Sequence, residues 1–173
     1  QHGRTLAGLE GERRAAQLLE ELPPTYRIVH GIEITQPNGW PEDIDHVVVG
    51  PTGLTLVDAK NWSGAIVIAE NAVLHNGHDV TAQLIDGSIR RAEHLKAYLG
   101  WEAPVRLIVC FTGQARGSGV IRGVRFTDRG GLKRLITEGD KAAHPEVVKE
   151  VAEDAALLSS TAVTSEPWRH NFY

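Results

Sequence analysis

Apolar positions recur at helical spacing over residues 6–22, where Leu9, Ala15, Ala16, Leu19 and Leu22 share one stripe and Pro23-Pro24 ends the run. The pattern then changes. Residues 26–34 read as a strand, and residues 36–41, with two prolines, Asn38 and Gly39, predict a loop. Two short strand-like runs, 44–49 and 54–59, flank Gly50-Pro51-Thr52-Gly53. A strand over 65–68 begins a second hairpin, whose Asn76-Gly77 step suits a tight turn. Residues 80–99 return to helical spacing through Leu84, Ile85, Ile89, Ala92, Leu95 and Leu99. Residues 105–111 predict a buried strand and 123–127 another; Asp128 is placed to cap a short helix through Ile136, and Pro145 to open a last helix running to about 158. Helices interspersed with strands in this order imply a mixed α+β fold, a mixed sheet with helices packed on it.

Length sets one domain as the expectation, over residues 1–158, with 159–173 a polar tail that ends in Trp168, Phe172 and Tyr173. That tail reads as a linker or as a strand completing the sheet. The longest apolar runs, such as residues 107–111, are too short to span a bilayer, and no basic-then-apolar leader opens the chain. A cytoplasmic protein without a membrane partner is the expectation. The chain opens at Gln1 and contains no methionine, as expected of a piece of a longer protein with further domains. Its one cysteine, Cys110, cannot form an internal disulfide and reads as a small buried hydrophobe. Oligomeric state is not legible.

Net charge is −4, so the whole chain gives no argument for a polyanionic partner. Its distribution is less neutral. Between residues 114 and 134 lie Arg116, Arg122, Arg125, Arg129, Lys133 and Arg134 against the single acid Asp128. Such a stretch can hold phosphates, or can simply be a solvated face.

The chemistry concentrates in the first hairpin. Both of its strands are apolar at nearly every other position, so charges there need a partner. A two- or four-residue connection sets Asp45 opposite Asp58, and Lys60, two residues on, shares the face of Asp58. Opposed carboxylates repel unless a cation or proton lies between them, and a hard divalent ion such as Mg2+ is one solution. An ion pair of Lys60 with Asp58 or Asp45 is the other. A three-residue connection with Gly53 in a bulge would move Asp45 to the opposite face. Pro51 disfavours the usual two-residue turns, so a four-residue loop is expected. Glu12 adds weight, because it falls within the apolar stripe of the first helix, where a lone glutamate is uncommon. It is placed to reach the same ion, or to pair with Lys60.

These blocks, Gly11-Glu12-Arg13, residues 43–53 and residues 57–64 (Val57 to Gly64), resemble the nuclease-related domain family, within the PD-(D/E)xK nuclease superfamily. The resemblance covers roughly residues 6–99 and implies a restriction-endonuclease-like core, a mixed central sheet flanked by helices. It also implies Mg2+- or Mn2+-dependent phosphodiester hydrolysis of nucleic acid, DNA foremost. On this resemblance Asp45, Asp58, the Ala59 carbonyl and Glu12 hold the metal, Lys60 is the motif lysine, and Gln83 fixes a water or a phosphate oxygen. Asp58 stands where the family usually has glutamate, which would draw the metal closer to the strand. Ile44 replaces the namesake proline.

Trp62, just past the lysine, is placed either to stack on a base or to anchor the next turn. His75 and His78 flank Asn76-Gly77, but two histidines do not make a zinc site. His46 is expected to face away from Asp45. The rival reading is a non-catalytic module that keeps the fold to bind nucleic acid or protein. A third is a structural domain whose aromatic tail docks on a partner.

Overall fold

A computed structural model of the protein describes residues 5–159. Helix α1 (Leu6–Leu19) leads into strands β1 (Arg27–Thr35), β2 (Pro41–Gly50) and β3 (Gly53–Lys60). A small meander follows, β4 (Ile66–Ile68), β5 (Val73–His75) and β6 (His78–Asp79), and then helix α2 (Thr81–Leu99). The chain continues through β7 (Arg106–Phe111), β8 (Gly119–Ile121), β9 (Val124–Asp128), a 3-10 turn at Arg129–Gly131, α3 (Leu132–Thr137) and α4 (Pro145–Ala156).

Six strands form one mixed sheet in the order β1-β2-β3-β7-β9-β8, with the meander as a separate three-stranded sheet. β1, β2 and β3 are antiparallel neighbours, whereas β7 lies parallel to β3 and β9 parallel to β7. The mixed sheet flanked by helices expected from the sequence is present.

Alternation along β3 sends its side chains into two cores. Leu54 and Leu56 join Val47, Val49 and Val109 under Leu84, Ile85 and Leu95 of α2 and Val148 and Val151 of α4. Val57 and Ala59 join Val48, Ile108 and Cys110 under Ala15 and Leu19 of α1 and Leu132 and Ile136 of α3. Both faces of the sheet are therefore buried, as the apolar runs imply.

Several element boundaries differ from expectation. Helix α1 stops at Leu19, and Leu22 is buried through a turn in which its amide donates to the Leu19 carbonyl. β2 begins at Pro41, the first residue of a strand being a position where proline is tolerated. The hairpin connection is the two residues Pro51 and Thr52, with Gly50 paired to Gly53. Only Gly53, at φ 107, carries the positive φ there, which reconciles Pro51 with so short a turn. Thr52 donates to the Ile136 carbonyl at 2.7 Å and so anchors the turn to α3. Asn76 and Gly77, at φ 51 and 82, form a tight turn, but it joins β5 to β6. Strand β8 has no counterpart in the sequence reading.

The tail lies outside the described residues apart from its first residue, Ser159, which makes an isolated antiparallel bridge to Ile32. Among the described residues no helix is long and apolar enough to cross a membrane.

Candidate active site

The β2–β3 ladder runs from Gly50–Gly53 to His46–Val57 and ends there. Beyond that rung β2 stays paired with β1 as far as Pro41, and β3 stays paired with β7 as far as Lys60. The sheet thus forks, and Asp45 and Asp58 stand as the first residues past the last rung. In the hairpin register Ala59 would next face Ile44. Instead its amide donates to Asp45 Oδ2 at 2.9 Å. An extended residue turns its N–H and C=O to the same side, so the Ala59 carbonyl is directed into the fork as well.

The register is the one that opposes Asp45 to Asp58; the slipped register is absent. Simple alternation nevertheless breaks near Asp45. Ile44 and Val47, three residues apart, enter the same core, as do Val29 and Ile32 on either side of Gly31, whose φ is 65. The Asp45 carboxylate consequently lies across the fork rather than upright on the sheet face.

A cavity of about 390 Å3 fills the opening, lined by Glu12, Asp45, Asp58, Ala59, Lys60, Trp62, Ser88 and Arg91, among others. Lys60 Nζ lies 3.4 Å from Asp58 Oδ1, and Arg91 Nη1 lies 3.6 Å from Asp58 Oδ2. The Asp58–Lys60 ion pair left open by the sequence is therefore present. It does not satisfy the carboxylate: Asp58 Oδ2 is buried with no hydrogen-bond partner among the described residues, and 3.6 Å is too long to count as one.

Asp45 differs from Asp58 in having no ion-pair partner among the described residues. Burial first, then the neighbouring charges of Asp58 and Glu12, push its carboxyl well above the usual carboxylate range, while the Ala59 amide pulls the other way. The structure thus brings Glu12, Asp45, Asp58, Ala59 and Lys60 to one cavity. Gln83 is not among them: it is exposed in the first turn of α2 and outside the cavity lining.

Glu12 arrives because α1 packs closely on the chain just past β3. A Cβ on Gly11 would fall 2.7 Å from Asn61 Cβ and 3.0 Å from Thr112 Oγ1. Asn61 Nδ2 donates to the Ala7 carbonyl at 3.0 Å and holds the contact. From the other face α2 presents Ser88 and Arg91, one turn apart. Ser88 Oγ is buried without a hydrogen-bond partner among the described residues. Neither was singled out from the sequence. Ser88 had a readable signal, since it sits with Leu84, Ala92 and Leu95 on the apolar stripe, the same anomaly that marks Glu12.

Helix α2 is held over β2 by Glu42, which is 6% exposed and accepts from Arg90 Nε at 2.7 Å and contacts His94 Nδ1 at 2.9 Å. Burial acts to raise the Glu42 pKa, yet the hydrogen bonds of Arg90 and His94 leave it below its ordinary value. Trp62 is a rim residue: it stacks on His75 with ring centroids 4.9 Å apart and lies 5.9 Å from Lys60 Nζ. His75 is further engaged with the Ser63 carbonyl at 2.7 Å. Cys110 is fully buried, and burial pushes its thiol up to about 12.

A mixed sheet forked at two carboxylates and a lysine, with helices on both faces, is a nuclease-like core. The sequence model of the nuclease-related domain family matches residues 7–112, more than half of the chain. The chain belongs to that family. An uncharacterized protein of Bacillus anthracis is 33% identical to it over 66 residues, which cover 38% of this chain and 31% of that protein. The match therefore spans about a third of the length of that curated relative. No solved structure matches.

Proposed function

We propose that this protein is a metal-dependent nuclease that hydrolyses phosphodiester bonds of DNA at the fork between β2 and β3. One observation carries the reading: Asp45, raised in pKa and without an ion-pair partner among the described residues, shares the cavity with Asp58 and Lys60.

A hard divalent cation, Mg2+ or Mn2+, fits the groups present. The donors are all oxygen, and Asp58 Oδ2, without a hydrogen bond among the described residues, and the raised Asp45 carboxyl both favour added positive charge. Asp45, Asp58 and the Ala59 carbonyl would hold the ion. Glu12, in the same cavity lining, would join it directly or through water. When bound, such an ion polarises a phosphoryl oxygen and acidifies water.

The chain's own residues supply the rest. Lys60 offers its ammonium to the phosphate and to charge developing there. Arg91, beside Asp58, is placed to hold a phosphate oxygen in the same cavity, and Ser88 has a hydroxyl available to it. Trp62 bounds the opening with an aromatic face. Gln83 has no part in this reading.

The test is incubation of DNA with Mg2+ or Mn2+, comparing the wild type with Asp45→Ala and Lys60→Ala. Each substitution is expected to lower cleavage by about 10^2–10^4-fold, the scale of losing one positioned charge or proton-transfer group. Equal activity in all three proteins would sink the assignment. A second reading, a non-catalytic nucleic-acid-binding module, draws on the Lys60 and Arg91 charges already at Asp58. Binding of DNA without cleavage in either metal would favour it.

A further inference from the structure

Helix α2 carries two adjacent arginines, and they are held very differently. Arg90 donates from Nε to Glu42 at 2.7 Å. Arg91 Nη1 lies 3.6 Å from Asp58 Oδ2, beyond hydrogen-bond length, and its guanidinium makes no hydrogen bond among the described residues. Its side chain is nevertheless only 22% exposed. It folds back along its own helix: a Cβ on Gly87, one turn earlier, would fall 3.2 Å from Arg91 Nη1 and 3.7 Å from Cζ. A group with five N–H donors thus rests against bare helix at the wall of the fork cavity.

The oxygen that Arg91 faces is equally underused. Asp58 Oδ2 is buried without a hydrogen-bond partner among the described residues, while Lys60 Nζ stands 3.4 Å from Oδ1. The cavity lining holds four carboxylates, Glu12, Asp43, Asp45 and Asp58, against two cations, Lys60 and Arg91. With all of them ionised the lining is short of two positive charges, and a phosphodiester, itself an anion, is repelled. One divalent ion matches that deficit. At Asp58 it would meet the charge of Arg91, and like charges in one place disfavour each other. Arginine suits a change of partner, because its weakly hydrated planar fork binds carboxylate and phosphate alike.

We propose that Arg91 is an exchangeable counter-ion, which competes with the divalent ion for Asp58 and, once displaced, turns its guanidinium to the substrate phosphate. The proposal deepens the reading of the fork as a metal-dependent phosphodiester site, and rests on it. Metal and phosphate then favour each other through one side chain. Linkage makes that effect reciprocal, so each ligand strengthens the other by the same factor.

The experiment titrates Mn2+ by calorimetry at pH 8 without DNA. It compares the wild type, Arg91→Gln, Arg91→Lys, and Lys149→Gln, an exposed residue of α4, as control. Arg91→Gln should bind Mn2+ about tenfold more tightly, the order expected on removing a unit charge beside a doubly charged ion even with water-like screening. Arg91→Lys keeps the charge and should stay near the wild type, as should Lys149→Gln. A second measurement follows binding of a short labelled DNA in EDTA and in Ca2+, with the DNA checked intact afterwards. The gain in DNA affinity on adding Ca2+ should be smaller in Arg91→Gln than in the wild type, by about fivefold or more. Unchanged or weaker Mn2+ binding by Arg91→Gln, an equal gain in Lys149→Gln, or no Mn2+ binding by the wild type overturns the proposal. The two readings fail separately. Tighter Mn2+ binding by Arg91→Gln, with no DNA cleavage by the wild type, keeps the exchange and removes the nuclease. Cleavage by the wild type, with Mn2+ affinity unaltered in Arg91→Gln, does the reverse.

Discussion

Asp45 is one carboxylate under four influences: enclosure, two like charges nearby, a single backbone donor, and a side-chain hydrogen bond with Asp58. Its raised pKa has a definite sign for stability. In the unfolded chain Asp45 titrates near about 3.9. Below that value it is protonated in both states and costs the fold nothing. As pH rises toward the folded value, ionisation increasingly penalises the folded state, and the penalty is complete above it. Asp45→Asn keeps an oxygen for the Ala59 amide and removes the charge. In EDTA at pH 8 it should therefore raise the melting temperature by several degrees, each ~1 kcal/mol being worth about 2–4 °C at this size. Near pH 4 the two proteins should melt together. Calorimetry at both pH values checks this, and a lower melting temperature for the variant at pH 8 would contradict the electrostatic account. At this scale the sequence was informative wherever a charge interrupts an apolar pattern, which is how Asp45, Asp58, Lys60 and Glu12 stand out. Arg91 gives no such signal, because it borders the stripe of its helix and only the fold brings it to Asp58. Gln83 rested on resemblance alone, and the winding of α2 points it away.

Elements meet at the fork through close approach, and Gly11 is where that approach is tightest. Replacing it with alanine improves intrinsic helix propensity by about 0.8–1 kcal/mol. The added carbon would sit 2.7 Å from Asn61 Cβ and 3.2 Å from the Asn61 backbone nitrogen, which cannot yield easily. Overpacking of this kind costs about 1–3 kcal/mol. Gly11→Ala should thus be neutral to destabilising by up to about 2 kcal/mol, and should reduce DNA cleavage because Glu12 moves with the helix. A variant more stable than wild type, with full cleavage, would show that α1 is not seated by this contact. Helices and strands with a sustained period were legible at this scale. What escaped was short or set by tertiary contacts: Gly119–Ile121 is too brief to show alternation, and the end of α1 is decided by Leu22 turning inward.

In the whole molecule, the region matched by the family ends at residue 112, but the core does not. Ile121, Val124, Phe126, Leu132, Ile136, Val148 and Val151 are all buried. At about 1.5–3 kcal/mol for each large side chain, their burial is comparable to the entire 5–15 kcal/mol stability of a domain. A chain ending at residue 112 should therefore lack a cooperative thermal transition and be cut rapidly by protease. A protected fragment with a sharp transition would mean that the matched region folds by itself. The sequence could order these later elements but not place them, since the parallel pairing of β7 between β3 and β9 depends on crossovers rather than on local pattern.

The fork also has a mechanical meaning. β2 and β3 share five rungs, fewer than the eight joining β1 to β2 or the six joining β3 to β7. Within the antiparallel part of the sheet β2 and β3 are thus joined by the shorter seam, and the site occupies its open end. Whatever bridges Asp45 and Asp58 adds a stitch there, so occupancy of the site and the cohesion of β2 with β3 rise together.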